Sequence, residues 1–193
     1  MSARHAATLP GEELAHVLRN PLSSVKLALQ SLGRETPGPR TRLALREVRK
    51  LERLLCALAE WDRPAHPPGG RFSLAVLLEA AASDVGEELC RREVEWAPGA
   101  GMAALPEVTG APLLLRPLLA QLLAEVAERS PGVPLSPELR LVASGLELRL
   151  VAPGLANSGA ARLCLVALHA LLQPAGGAAR AEGPDLLRLH VPT

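Results

Sequence analysis

Tyrosine is absent from this sequence, and Trp61, Phe72 and Trp96 are its only aromatic side chains. Leucine and alanine therefore supply most of the 48% apolar content, a mix that favours helices. Cysteine is scarce as well. Cys56, Cys90 and Cys164 are isolated, odd in number and set inside apolar patterns, which indicates neither a disulfide framework nor a metal cluster. All three read as buried small hydrophobes. No apolar run approaches the roughly 18–20 residues of a membrane span, and the polar N-terminus lacks the charged-then-apolar order of a signal peptide. With a net charge of +1 there is no global field to favour nucleic acid or an anionic membrane. These absences predict a soluble, cytoplasmic protein with neither nucleic acid nor membrane as a partner.

What is present begins with a long amphipathic pattern. From Glu12 to Leu32, apolar residues fall at Leu14, Leu18, Leu22, Val25, Leu29 and Leu32, in steps of four and three. At about 100° per residue they share one stripe under about 90° wide, and His16, Asn20, Ser23 and Leu27 lie on the opposite side. Pro21 removes one backbone hydrogen bond and predicts a kink one turn after His16. Gly33, Pro37, Gly38 and Pro39 stop this helix. A second runs from about Thr41 to Glu60, with Leu43, Val48, Leu51, Leu54, Leu55 and Leu58 on its apolar face. Its basic face carries Arg42, Arg46, Arg49 and Arg53, expected to pair in part with Glu47 and Glu52. An antiparallel hairpin of two such helices exposes too much of its stripe to stand alone, so pairing with a second copy into a four-helix bundle is expected.

Pro64, Pro67, Pro68 and the Gly69-Gly70 pair mark a linker, dividing the chain into residues 1–63 and 71–193. The second part predicts a strand near Arg71 to Ser73, a helix over Leu74 to Leu89, and strands near Glu93 to Trp96 and Glu107 to Thr109. A helix over Pro112 to Arg129 follows, then a hairpin of Glu138 to Ala143 with Leu146 to Val151. A helix over Gly159 to Leu172 and a last hairpin, Ala178 to Glu182 with Leu186 to Val191, complete it. The fold class is α+β: a helical hairpin followed by an α/β sandwich.

The stretch His16-Val17-Leu18-Arg19-Asn20-Pro21-Leu22, continued by Ser23-Ser24-Val25-Lys26-Leu27-Ala28-Leu29, resembles the phospho-accepting segment of bacterial sensor histidine kinases. A bacterial source also suits the base composition implied by arginine at all basic positions but Lys26 and Lys50. The order of elements after residue 70, closing with Gly176-Gly177-Ala178-Ala179-Arg180 and Leu187-Arg188-Leu189-His190-Val191-Pro192, resembles the ATPase domain of the GHKL superfamily. In that family a sensing region precedes the histidine helix, whereas about a dozen residues precede it here, so input is expected from another protein.

Neutral imidazole carries a free lone pair near neutral pH and can form a covalent phosphoryl intermediate. The resemblance makes His16 the phospho-acceptor and gives Asn20 the position linked to orienting water for dephosphorylation of a partner. It also implies the Asp or Glu that normally follows the histidine to take its proton, but Val17 stands there and cannot act as a base. An Asn that helps hold Mg²⁺ in the resembled domain corresponds to Glu125, with Gln121 one turn earlier. The Asp-x-Gly-x-Gly segment that reads adenine corresponds to Val151-Ala152-Pro153-Gly154-Leu155, which has no carboxylate. The glycine-rich phosphate loop corresponds to Gly159-Ala160-Ala161-Arg162-Leu163-Cys164-Leu165, with one glycine, and only about six residues remain for a lid. Three defects in separate elements argue against ATP binding.

The sequence therefore predicts a dimeric histidine phosphotransferase of a two-component phosphorelay. It would relay a phosphoryl group between receiver domains of response regulators through His16, without ATP-dependent autophosphorylation. Arg19, Ser23, Leu27, Arg42, Arg46, Arg49 and Arg53 would dock those receivers, and an upstream hybrid histidine kinase is a further expected partner. No cofactor of its own is expected, Mg²⁺ coming from the receiver's acidic pocket. His5, His66, His169 and His190 have neither metal spacing nor a nucleophile partner and read as surface or structural. Two alternatives stay open: a non-enzymatic dimeric pseudokinase scaffold, and an autokinase with an eroded ATP site.

Overall fold

A computed structural model describes residues 11–35, 38–61, 70–99 and 102–193. The chain divides into two compact units, Met1–Ala65 and His66–Thr193.

The first unit is a pair of long helices, α1 (Gly11–Glu35) and α2 (Pro39–Trp61). α1 runs unbroken past Pro21, and α2 opens with Pro39, whose missing N–H costs nothing at a first helical position. Each apolar stripe splits into two edges. On α1, Leu22 and Leu29 are half-buried while Val25 and Leu32 are exposed; on α2, Thr41, Val48 and Leu55 are buried while Leu43 and Leu51 are about half exposed. At about 100° per residue the covered residues share one edge and the open residues the other. Each helix thus spends half its stripe on its neighbour. Leu14, Leu18, Leu54 and Leu58 have side chains outside the described ones.

The second unit is built on a four-stranded antiparallel sheet in the order β3-β4-β6-β5: β3 (Glu138–Val142), β4 (Gly145–Val151), β5 (Ala178–Ala181) and β6 (Leu186–Pro192). Period-2 alternation sorts its faces. Leu146, Leu148 and Leu150 of β4 and Leu187, Leu189 and Val191 of β6 are buried, and Glu147, Arg149, Arg188 and His190 between them are not. Helices α3 (Leu74–Asp84), α5 (Pro112–Arg129) and α6 (Gly159–Leu172) supply the second layer, with α5 packed between the other two. From Leu118 to Ala127 every residue of α5 is buried. Each fully buried leucine there contributes about 1.5–3 kcal/mol relative to exposure. A small ribbon, β1 (Arg71–Phe72) against β2 (Val108–Thr109), completes the unit, and Arg116 Nε and Nη2 each lie 2.7 Å from an oxygen of Asp84, tying α5 to the end of α3.

Three expectations are corrected. The helix over Leu74 to Leu89 is two: fully buried Val85 leaves helical geometry at φ −113°, ψ 13°, and the chain restarts as α4 (Gly86–Arg91). The strand over Glu93 to Trp96 reduces to one parallel bridge, Trp96 to Leu135, because Glu93 sits at φ 57° in the turn that ends α4. There Glu93 N donates to Cys90 O at 3.1 Å and Val94 N to Leu89 O at 3.0 Å, a Schellman closure whose left-handed residue cannot extend a strand. Cys90, expected to be buried, is exposed on that short helix, whereas Cys164 is buried in α6 and the Cys56 side chain is outside those described.

The glycine pair before the last hairpin has a mechanical reason. Gly176 takes φ 84°, and a Cβ on Gly177 would lie 2.6 Å from His190 O and 2.9 Å from Leu172 Cβ. Only glycine lets the end of α6 approach β6 this closely.

Candidate functional site

Two places follow from the sequence: the histidine face of α1, and the region where the resembled ATPase domain would hold Mg-ATP.

His16, Arg19 and Asn20 lie on α1, and their side chains are outside the described ones. One turn on, the same side of the helix presents Ser23 and Leu27, both exposed, Leu27 at 66%. An apolar side chain held that far into water stabilises nothing within its own hairpin. On α2, Arg42 is exposed and Arg49 half-buried; the Arg46 and Arg53 side chains are outside the described ones. Glu52 takes a partner that the sequence reading did not name: Lys26 Nζ donates to its Oε2 at 2.7 Å and Oε1 at 3.1 Å. Nothing in the spacing of α2 predicts a partner 26 residues away, because only the folded hairpin brings Lys26 and Glu52 together.

In the second unit, α5 carries Gln121 and Glu125 one turn apart and both face inward, 0% and 3% exposed. Gln121 Nε2 donates to Glu125 Oε1 at 3.0 Å, and Ser158 Oγ donates to Glu125 Oε2 at 2.6 Å. Burial makes these bonds necessary, since an unpaired carboxyl in the core costs several kcal/mol. The oxygen of Ser158 also accepts from Ala161 N at 3.4 Å, capping α6. Another turn along α5, Arg129 Nη1 donates to Pro153 O at 3.5 Å and lies against Gly154. Arg129 Nε is buried without a hydrogen-bond partner. From the opposite flank, Asp185 Oδ1 accepts from Gly154 N at 2.6 Å. Sequence reasoning singled out Glu125 and Gln121 but missed Ser158, Arg129 and Asp185. The available signal was the serine directly before the helix starting at Gly159, an N-cap type at an N-cap position.

These residues do not fit Mg-ATP. Both oxygens of Glu125 are already engaged inside the protein, the turn after β4 has no carboxylate for an adenine amino group, and its Gly154 amide is taken by Asp185. A cavity of about 90 Å³ lies between the end of α5 and β4, lined by Val94, Val126, Ala127, Val133, Leu135 and Leu150. Small-molecule pockets run to ~300–1,000 Å³, so this one is too small for a nucleotide. Among the described residues there is no group of three or more His, Cys, Asp or Glu side chains placed to hold a metal ion, and no helix is long and apolar enough to cross a membrane.

Neither a protein-family model nor a curated protein matches the chain. Solved structures do. The chain is similar to the Acinetobacter baumannii histidine kinase AdeS at 12% identity and a TM-score of 0.51, over 92% of this chain and 97% of that one. Full-length ShkA in complex with AMPPNP is similar at 14% identity and a TM-score of 0.58, over 96% of this chain and 47% of that one, so this chain spans about half of ShkA. The catalytic domain of histidine kinase ThkA is similar at 9% identity and a TM-score of 0.50, over 65% of this chain and 97% of that domain. At these identities the likeness concerns architecture alone: a helical hairpin followed by an α/β sandwich, the fold of histidine kinases.

Proposed function

We propose that the chain is a histidine phosphotransferase of a bacterial two-component phosphorelay, working as a homodimer without ATP-dependent autophosphorylation. The observation that carries this reading is the contrast between its two units. On α1 the helix position of His16 lies on the side away from the apolar stripe, the side where Ser23 and Leu27 are exposed, while in the sandwich Glu125 is bonded to Ser158 and the Gly154 amide to Asp185.

In the proposed step, the lone pair of the neutral His16 imidazole attacks phosphorus of a receiver's aspartyl phosphate. A nitrogen–phosphorus bond forms, the bond from phosphorus to the aspartate oxygen breaks, and the carboxylate leaves with the electron pair. Reversal onto a second receiver's aspartate completes the relay, with Mg²⁺ held by the receiver's acidic residues. Val17 suits this chemistry, because an acyl phosphate is a better phosphoryl donor than ATP and attack on it relies less on a base, the proton on the second ring nitrogen being released to water after the nitrogen–phosphorus bond forms. Ser23, Leu27 and the arginines of α2 would form the docking surface, the arginines steering an acidic receiver pocket.

The open edge of each stripe supports the dimer. Val25, Leu32, Leu43 and Leu51 are about half exposed in the single hairpin, and a second copy would cover them as a four-helix bundle does. The experiment that tests the function is a phosphotransfer profile against receiver domains, following acid-labile label on this chain. Label arriving from a phosphorylated receiver and departing to another supports it. Binding of a receiver with no label transferred would favour the non-enzymatic scaffold, and label taken from Mg-ATP would favour the eroded autokinase.

A further inference from the structure

The seven residues 152–158 join β4 to α6, where the resembled ATPase domain reads adenine and carries its lid. A segment that binds phosphate or opens as a lid needs backbone N–H groups free to turn to the ligand. Here each one is already donating. Ala152 N bonds Asp185 O at 2.9 Å, Gly154 N bonds Asp185 Oδ1 at 2.6 Å, and Ala156 N bonds Pro184 O at 2.8 Å. Leu155 N, Asn157 N and Ser158 N bond Ala152 O, Gly154 O and Leu155 O at 3.0–3.1 Å, and Pro153 has no N–H to offer. Side chains hold the segment from the α5 flank as well, through Ser158 on Glu125 and Arg129 over Pro153. Its own Ala152, Leu155 and Ser158 are buried.

We propose that residues 152–158 are a strap fixed shut from two sides, by Pro184 and Asp185 of the β5–β6 turn and by Glu125 and Arg129 of α5. The C-terminal unit then reaches its final shape with no nucleotide and does not open to admit one. Local opening free energy follows how many bonds and how much burial must be lost together; every backbone donor of this segment is bonded, and Ala152, Leu155 and Ser158 are buried. One consequence rests on the phosphotransfer reading: phosphoryl flow would depend on the partners' aspartates and not on adenine nucleotide.

Hydrogen exchange on the full chain tests the strap, residue by residue, with and without Mg-AMPPNP. In the wild type, the amides of Ala152, Gly154 and Ala156 are expected to exchange at least tenfold more slowly than those of the exposed β3–β4 turn at Ala143 and Ser144, and millimolar Mg-AMPPNP should leave them unchanged. Asp185→Ala should speed Gly154 at least tenfold while Leu148 in β4 stays protected, and Asp185→Asn, which keeps an acceptor, should restore much of the protection. Ser158→Ala should loosen the α6 end of the strap independently, with Ser158→Thr retaining it. Exchange as fast as the exposed turn, slowing by Mg-AMPPNP, or indifference to both alanine variants would overturn the proposal. His16→Gln should give the wild-type exchange pattern, so the strap and the phosphotransfer reading fail separately.

Discussion

Ser158 Oγ stands 2.6 Å from Glu125 Oε2 and 3.4 Å from Ala161 N, so one hydroxyl both satisfies a buried carboxyl and caps α6. Two costs therefore fall on one substitution. Removing an N-cap typically costs ~1 kcal/mol, and depriving a buried acceptor of its donor costs ~1–3 kcal/mol. Ser158→Ala is expected to destabilise the second unit by about 2–4 kcal/mol in urea unfolding, and Ser158→Thr by much less. A loss below about 0.5 kcal/mol, the range of an ordinary surface change, would mean that the hydroxyl has neither role.

Glu93 makes the opposite prediction. Its φ of 57° is a left-handed cap that glycine adopts without strain. The side chain is exposed, so little packing is lost. Glu93→Gly should stabilise by about 0.5–1 kcal/mol once relief of strain is set against the extra freedom of the unfolded chain. A lower unfolding midpoint would show that the glutamate has an unrecognised contact.

Gly177→Ala should be costly for a steric reason. The new Cβ would meet a backbone carbonyl, that of His190, at 2.6 Å, and backbone cannot rotate away. A loss of about 2 kcal/mol or more is expected, in the range of overpacked cores. Thermal unfolding checks it, with Gly183→Ala as a comparison in which the added methyl meets nothing within 4 Å and only the φ of 82° is strained.

The dimer follows from the open edges of the hairpin. Sedimentation equilibrium should give twice the chain mass of 20.3 kDa. Leu43→Asp combined with Leu51→Asp should shift it to the monomer, because charged side chains at half-covered positions cannot enter an apolar interface. A wild-type chain that stays monomeric at high concentration would remove the four-helix bundle.

For His16, the expectation is loss of all acid-labile label in His16→Gln with the fold and receiver affinity nearly intact, since a single substitution on the helix face opposite the apolar stripe should move stability by about 0.5 kcal/mol or less. Leu27→Asp should slow transfer without abolishing it. Charge reversal at Arg46 and Arg49 should do the same, with a deficit that shrinks as salt rises. Label persisting in His16→Gln would place the acceptor elsewhere.

Much of this architecture could be read along the chain. The 4-4-3-4-3 spacing of Leu14 to Leu32 implied a helix, and α1 is one. Gly159 and Leu172 bound α6 where the helical pattern put them, although the capping role of Ser158 went unread. Alternation in β4 and β6 identified the strands because one face of the sheet is buried and the other is not. Failures occurred where a distant contact overruled a local preference. Val85 leaves the helix to fill the core, and Glu93 adopts a glycine-like turn because the chain must reverse beneath Gly132, whose N–H bonds Arg92 O.

By itself, the sequence determined periodicity, caps, breaks and the types of residue missing from the nucleotide-reading segment, because each depends on neighbours within a few positions. It also placed His16 opposite the apolar stripe, since helix geometry needs no partner to set that angle. Only the tertiary structure decided that Glu125 turns inward to Gln121 and Ser158, that Asp185 claims the Gly154 amide, and that Lys26 reaches Glu52. Those pairings join residues 26 to 33 positions apart, except for Gln121 one turn away, and a carboxylate's role is set by whichever donor the folded chain brings within 3 Å of it.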